Sequence, residues 1–302
     1  MAIPKVLGCY RFTPLADPAA VRLWQLELCR RLGLLGRVLV AEDGINASLA
    51  GDVTVLKSWL RATREHEPFA GLEPSWTDGT GSEFTRLRVL HRPELVTFGV
   101  RVPVDEDGVR GTGRRISPAQ LDALVAERGE EVALLDGRNR WEASIGRFAG
   151  AVVPDVETTR DFVMLLDEGG LDHLRDRPVI TYCTGGIRCE VLSALMVQRG
   201  FEEVYQLDGG ILAYGRDVGD AGLWQGALHV FDQRHSISFS DAVVAVGECG
   251  VCGGPASRVA DCRAACCGRR VPLCDACATE DRCAEHRVVS GPGARSGRPP
   301  AR

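Results

Sequence analysis

The chemistry of this chain concentrates in two groups of cysteines. In ITYCTGGIRCEVLSAL (180–195) a β-rich run delivers Cys183, and Gly185, Gly186, Arg188 and Cys189 follow before a helical pattern sets in near Arg188 or Cys189. Gly185 and Gly186 allow the backbone to curl so that several N–H groups turn inward, a nest suited to an anion. The helix end contributes roughly half a positive charge at the same place. Arg188 adds a full one if it points inward. All three effects favour a thiolate over a thiol at Cys183, and such a thiolate can take up a sulfane sulfur as a persulfide. Cys189 is near enough to resolve a persulfide or sulfenate as a disulfide; the alternative is a packed residue in the first helical turn. Glu190 reads as a partner of the helix dipole.

Eight of the twelve cysteines crowd between Cys249 and Cys283, in the order C-x2-C-x9-C-x3-C-x7-C-x2-C-x5-C-x2-H when Cys266 is taken and Cys267 skipped. Two CxxC pairs present thiolates to one tetrahedral ion. Eight ligands suffice for two zinc ions. Interleaved pairing puts Cys249, Cys252, Cys274 and Cys277 on one ion, and Cys262, Cys266 (or Cys267), Cys283 and His286 on the other. With so few large apolar residues in 249–287, metal binding has to supply the folding energy. One zinc with spare thiols and a labile iron–sulfur cluster are the alternatives. Cys9 and Cys29 stand alone and read as small buried hydrophobes.

These groups need elements to hold them. Residues 1–100 alternate as β-α-β-β-α-β, with a strand around VLGCYRF, a helix in RLWQLELCRRLGLLG, and strands RVLVA and ASLAG around the turn Glu42-Asp43-Gly44-Ile45-Asn46. The helix VTVLKSWLRATREH and one or two strands in FTRLRVLHRPELVTFG follow. That order predicts an α+β ferredoxin-like domain. Residues 101–117 read as a linker. From 118 to 225 strands (EVALLDGR, GAVVP, PVITYC, EEVYQLDGGI) separate helices (SPAQLDALVAERG, RWEASIGRF, TTRDFVMLLDEGGLDHL, CEVLSALMVQRG), the signature of an α/β domain with a covered parallel sheet. The Cys-rich segment spans 240–287, and the Gly/Pro/Arg-rich 288–302 reads as a disordered tail.

Charge and composition bound the partners. Residues 1–100 carry 12 basic and 11 acidic side chains, residues 101–240 carry 15 and 23, and residues 241–302 carry 9 and 7. An acidic middle is no general nucleic-acid binder, so any RNA must be held by the flanks. Arg37, Arg86, Arg88 and Arg92 are candidates for phosphate contacts, and Asn46 for a contact to RNA; the alternative for Asn46 is a hairpin turn residue. Apolar runs too short for a bilayer and no signal-peptide layout lead to the expectation of a cytoplasmic protein without a membrane partner.

LLDGRNRWEASIGRFAGAVVP and PVITYCTGGIRCEVLSALMVQRGFEEVYQLDGGILAYG together resemble a rhodanese (sulfurtransferase) domain over about 100 residues. The family positions fall at Asp136, Arg138, Glu142, Gly146 to Phe148, Gly150-Ala151, Cys183 and Val204 to Ile211. Arg147 stands where the family has a histidine, so that histidine's role does not carry over. Related phosphatases hold phosphate in a Cys-x5-Arg loop; here four residues separate Cys183 from Arg188, a ring better suited to sulfur. YRFTPLADP, GRVLVAEDGINASLAG and RLRVLHRPELVTFG, with the Tyr182–Glu190 loop, further resemble the rhodanese-containing tRNA uridine hydroxylases. This resemblance implies 5-hydroxylation of the wobble uridine in the anticodon loop, with O2 as cosubstrate, a reductant that the sequence does not identify and Cys183 as the key thiol. Cys183 could add to C6 of the pyrimidine or act as a persulfide. A plain sulfurtransferase and a non-catalytic RNA-binding zinc scaffold are the rival readings.

Overall fold

Apolar alternation in PKVLGCYRF and GINASLAGD builds the two inner strands of the first sheet. In the computed structural model, whose described residues are 2–279 and 282–286, the first domain runs β1 (Pro4–Phe12), α1 (Pro18–Arg31), β2 (Leu35–Ala41), β3 (Gly44–Asp52), α2 (Val53–Arg64), β4 (Glu73–Asp78) and β5 (Leu87–His91). The expected tail at 288–302 lies outside the described residues. The sheet order is β4-β1-β3-β2-β5, antiparallel except for the parallel pair β2–β5. Asp17 accepts from the Ala20 N–H at 2.9 Å with Pro18 at the first helical position, and Asp52 caps α2 through the Thr54 N–H at 2.9 Å. Both helices cover one face, where Leu7, Ile45, Leu49, Leu56, Trp59 and Phe69 form the core. Cys9 and Cys29 sit in this core, and burial pushes both thiols up to about 12.

Two details differ from the sequence reading. The fourth strand of the ferredoxin-like unit is Glu73–Asp78, while the later segment forms β5 alone, beside β2. EPSWTD shows no apolar alternation and carries Pro74, tolerable because β4 is an edge strand. The β2–β3 turn consists of Glu42 and Asp43 only; Ile45 and Asn46 already belong to the central strand β3.

The second domain begins earlier than 118. Where a linker is expected, a short hairpin β6 (Val104–Asp105) and β7 (Gly108–Val109) is followed by β8 (Arg114–Ile116), which enters the second sheet beside the fourth strand to come. Then follow α3 (Pro118–Arg128), β9 (Ala133–Asp136), α4 (Arg140–Ala143), β10 (Gly146–Phe148), α5 (Asp161–Asp167), β11 (Val179–Tyr182), α6 (Ile187–Gln198), β12 (Val204–Leu207) and α7 (Gly210–Asp217). The sheet order β8-β12-β11-β9 is parallel throughout, and β9 and β11 are buried along their whole length. RWEASIGRF is a four-residue helix and a strand instead of one helix, and GAVVP contributes only a bridge from Val152 to Leu135. The two domains share a core: Phe12, Ala41, Leu95 and Phe98 pack with Val191, Leu192 and Leu195 of α6.

The C-terminal part is built of short pairs. β13 (Trp224–Gly226) pairs with β10, and β14 (Leu228–His229) pairs with β15 (Ser236–Ile237). β16 (Gly247–Glu248) pairs with β17 (Pro255–Ala256), β18 (Arg258–Asp261) with β19 (Arg270–Leu273), and α8 (Asp275–Ala278) follows. The Cys-rich module docks on α4, where the Arg270 guanidinium lies 4.3 Å from the centre of the Trp141 ring.

Candidate active site

β11 ends at Tyr182, Cys183 is the next residue, and α6 begins at Ile187, so the thiol sits where a parallel strand gives way to a helix N-terminus. The two glycines of the turn do different work. Gly186 has φ +95°, a left-handed conformation that side chains resist, and its N–H donates to Cys183 Sγ at 3.2 Å. Gly185 needs no such φ, and a Cβ there would meet only Leu212 Cδ1 at 3.9 Å. Of the two glycines, only Gly186 takes the positive φ of the turn. The loop is clamped from the α7 side: the N–H groups of Ile211 and Leu212 donate to the carbonyls of Cys183 and Thr184 at 2.9 and 3.0 Å. At Gly210, φ +62°, a Cβ would stand 2.4 Å from the Cys183 carbonyl oxygen. Cys183 itself is 0% exposed.

Arg188 does point inward. Its guanidinium grips Glu142 in a two-point pair, Nη1 to Oε1 at 2.6 Å and Nη2 to Oε2 at 2.9 Å, and Nη2 also donates to Thr184 Oγ1 at 3.1 Å. Glu142 has a second task, accepting from the Asn139 N–H at 3.1 Å to cap α4. Deeper in, Arg138 pairs with Asp136 at 2.6 and 2.9 Å, both fully buried. Burial alone would push the Cys183 thiol up. The Cys189 S–H, the Arg188 charge and the N–H groups of Cys189 and Arg188 together outweigh it and bring Cys183 down to about 6. Cys189, raised by its own burial and by the adjacent sulfur, keeps its proton. The pair is thus a thiolate and a thiol, with the negative sulfur on the residue that ends the strand.

On the other flank of the loop lies a network that sequence reasoning did not find. Glu190 is 3% exposed and accepts from Tyr10 Oη at 3.0 Å and Gln206 Nε2 at 3.1 Å, and pairs with Arg115. No local signal marks Tyr10, which is 180 residues away from Glu190 along the chain.

The candidate RNA residues fall on one face of the first sheet. Tyr10, Asn46 and Leu39 are register partners across β1, β3 and β2, and Arg37 pairs with Arg88 across β2 and β5. Register partners share a face, and Arg37 is two residues from Leu39, so Arg37, Arg88 and Asn46 stand on the face that carries Tyr10 to the thiolate loop. Arg37 and Arg88 are exposed, as are Arg86 just before β5 and Arg92 just after it.

At the Cys-rich end two tetrads form. The ligand atoms of Cys249, Cys252, Cys274 and Cys277 lie within 4.8 Å of one another, as do those of Cys262, Cys267, Cys283 and His286. The second set corrects the choice of Cys266. Cys267 stands 3.9 Å from Cys283, while Cys266 Sγ lies 3.3 Å from His286 Nε2, on the ring nitrogen away from the Nδ1 that faces Cys283. Adjacent residues project differently from one turn, and spacing alone does not say which thiol turns inward. Both donor sets, four sulfurs and three sulfurs with an imidazole, fit zinc.

Three family profiles match the chain: a UPF0176 acylphosphatase like domain over residues 4–95, a Rhodanese-like domain over 117–217 and a Rhodanase C-terminal domain over 225–287. Curated relatives match along nearly the whole length. A tRNA uridine(34) hydroxylase of Rhodococcus jostii (strain RHA1) is 53% identical over 287 residues, 93% of this chain and 99% of its own. A tRNA uridine(34) hydroxylase of Kocuria rhizophila is 50% identical over 290 residues, 94% of this chain and 98% of its own.

The lowered pKa of Cys183 fixes the sign of its pH response. The thiolate is present above the folded pKa and is lost as pH falls through it. Alkylation of Cys183 by iodoacetamide, read on its own peptide by mass spectrometry, is expected to titrate with a midpoint at about 6. Below that midpoint the rate should fall about tenfold per pH unit. A midpoint at 8 or above would contradict the thiolate assignment.

Proposed function

The chain belongs to the tRNA uridine(34) hydroxylase family, and we propose that it hydroxylates uridine 34 of tRNA through Cys183. The observation that carries this reading is the pairing, within one chain, of a thiolate loop with a polar and basic sheet face that leads to it. A rhodanese domain moving sulfur between small molecules needs no such second domain. The full-length relatives named as tRNA hydroxylases argue the same way.

Setting an oxygen atom at C5 of uridine from O2 replaces C–H by C–OH. It consumes two electrons and two protons, and the other oxygen leaves as water. The electrons come from a reductant supplied from outside. Of the two roles for Cys183, burial favours the persulfide: a pyrimidine held in an anticodon loop is too bulky to reach the covered Sγ as a small reagent can, whereas a second sulfur extends the reactive end by about 2.05 Å. The nest of N–H groups from Gly186, Arg188 and Cys189 would hold the negative charge of either species. Cys189, as the protonated neighbour, is placed to resolve an oxidised Cys183.

The anticodon loop would lie on the open part of the first sheet, with Arg37 and Arg88 on phosphates and Asn46 nearer the base. Arg86 and Arg92 extend the same edge. The two cysteine tetrads would each hold one zinc ion, whose contribution is structural: four protein ligands leave no open position for substrate. In the second site the Cys266 sulfur beside His286 Nε2 would orient the imidazole as an outer partner. No helix among the described residues is long and apolar enough to cross a membrane; the cytoplasm, where tRNA is modified, is the expected place of action.

Three outcomes test this. In a strain lacking the protein and any second enzyme for the same mark, wild-type chain should restore 5-hydroxyuridine derivatives in tRNA nucleosides, and Cys183→Ala should not; restoration by the variant would sink the catalytic assignment. Arg37→Ala combined with Arg88→Ala should raise KM for tRNA about tenfold with kcat little changed, since each lost phosphate contact weakens binding without touching the chemistry. Purified protein should release about two zinc ions per chain on denaturation. Cys267→Ser should lose one of them and Cys266→Ser should keep both; the reverse pattern would restore Cys266 as the ligand.

A further inference from the structure

The thiolate loop is not closed by its own domain. Gly186, whose N–H donates to Cys183 Sγ, has the Tyr10 hydroxyl directly beside it: a Cβ added to Gly186 would stand 2.9 Å from Tyr10 Oη. The same hydroxyl donates to Glu190 Oε1 at 3.0 Å. Glu190 in turn is fixed to Gly186 through the backbone, its N–H meeting the Gly186 carbonyl at 3.3 Å. Tyr10 therefore touches both ends of the first turn of α6, the turn that presents N–H groups to the sulfur. It reaches there from β1 of the first domain, on the sheet face that carries Asn46, Arg37 and Arg88.

The surroundings of Glu190 show why a tyrosine is needed at this point. The carboxylate is buried, and a buried carboxylate lacking donors is costly. Its Oε2 takes the Gln206 amide at 3.1 Å, and its Oε1 takes Arg115 and Tyr10. Arg115 is shared with Asp208 at 3.1 Å, which divides its charge. Tyr10 supplies a neutral donor that never adds charge beside the thiolate: burial and the neighbouring Glu190 hold its phenol well above the usual tyrosine range.

We propose that Tyr10 is a positioning residue for the Cys183 thiolate, locking the Gly186–Glu190 turn against the first domain so that the reactive sulfur is fully formed only when that domain is docked. The proposal rests on the reading of Cys183 as the reacting thiol and assigns Tyr10 no contact with substrate. The charged and titratable groups facing the sulfur are Cys189 and Arg188 on α6 and Tyr10 on β1, and Arg188 is in turn faced by Glu142 on α4 and by Asp136. On the Tyr10 side they are Glu190 on α6 with Arg115 of β8. When the hydroxyl is removed, Glu190 loses one donor at the end of the turn, and the turn loses the atom that backs Gly186, whose N–H meets the sulfur. Both effects disfavour the thiolate.

The test is Tyr10→Phe in the full chain, which keeps the ring and deletes only the hydroxyl. The midpoint of Cys183 alkylation by iodoacetamide, measured without tRNA, should rise by about 0.5 pH unit. Turnover on tRNA should fall about tenfold in kcat with KM little changed, and the melting temperature should stay within about 4 °C of wild type. In a Glu190→Ala background the same substitution should move midpoint and kcat by much less than in the wild type, because the hydrogen bond is already gone and only the backing of Gly186 remains to be lost. Should Glu190→Ala not fold, Glu190→Leu, which likewise offers no acceptor to the hydroxyl, takes its place with the same expectation. An unchanged midpoint overturns the proposal, whether or not the melting temperature drops, since a packing role alone would leave the sulfur's acidity where it was. Full additivity in the double variant overturns it as well. Restoration of modified tRNA by Cys183→Ala would defeat the catalytic reading on which the proposal rests, while the alkylation midpoint still reports on Tyr10 alone.

Discussion

A negative sulfur kept out of water is the constraint on which the rest of this structure depends. Burial by itself favours the neutral thiol, and at Cys183 it is the largest influence. What reverses it is a set of small positive ends assembled at one point: the Gly186 N–H at 3.2 Å, the N–H groups that open α6, the Cys189 S–H and the inward Arg188. None of these is strong alone. They act together because strand β11, the tight turn and the helix are covalently consecutive, so little separate ordering is required.

Arg188 creates a demand of its own. A buried guanidinium must be paired, and Glu142 pairs it at two points while also capping α4. Removing one member of such a pair typically costs about 3–5 kcal/mol, because the other charge is left without a partner. Asp136 and Arg138 form a second buried pair directly behind, and Arg138 Nη2 also donates to the Gly146 carbonyl at 2.7 Å. The short helix α4 is thereby tied to the active loop on one side. On its other side Trp141 meets Arg270 of the Cys-rich module. The Cys-rich module thus leans on the same four-residue helix that holds the loop arginine.

The first domain approaches from the opposite flank. Its sheet divides its open face between two tasks: Phe12 and Ala41 enter the core of the second domain, while Arg37 and Arg88 remain exposed. Tyr10 stands at the boundary between the two. A rigid sheet is a suitable carrier for this role, since central strands paired on both sides move little relative to one another. The basic sheet face and the thiolate loop are therefore joined by a shared apolar core and one buried hydroxyl.

How much of this was legible in the sequence follows from the range over which each signal acts. Cys183, Gly186, Arg188 and Cys189 lie within seven consecutive residues, and the strand–turn–helix around them follows from local propensity and glycine conformation. The clustering of cysteines into two tetrads was legible almost as fully, because the spacing of two CxxC pairs reflects a knuckle turn. The choice between Cys266 and Cys267 was not, since neighbouring residues differ only in the direction the folded turn gives them. The edge strand at Glu73–Asp78 escaped because an edge position relaxes the apolar alternation by which strands are read. The supposed linker concealed β8, whose three residues are recognisable as a strand only beside β12. Tertiary structure alone decided that Glu142 would hold Arg188, 46 residues on, and that Tyr10 would meet Glu190 across 180. Sequence by itself determined which groups could do chemistry and the local turn that holds the thiol. The partners that fix its charge are set by packing between distant segments, and nothing in a short window of residues encodes which distant side chain will arrive.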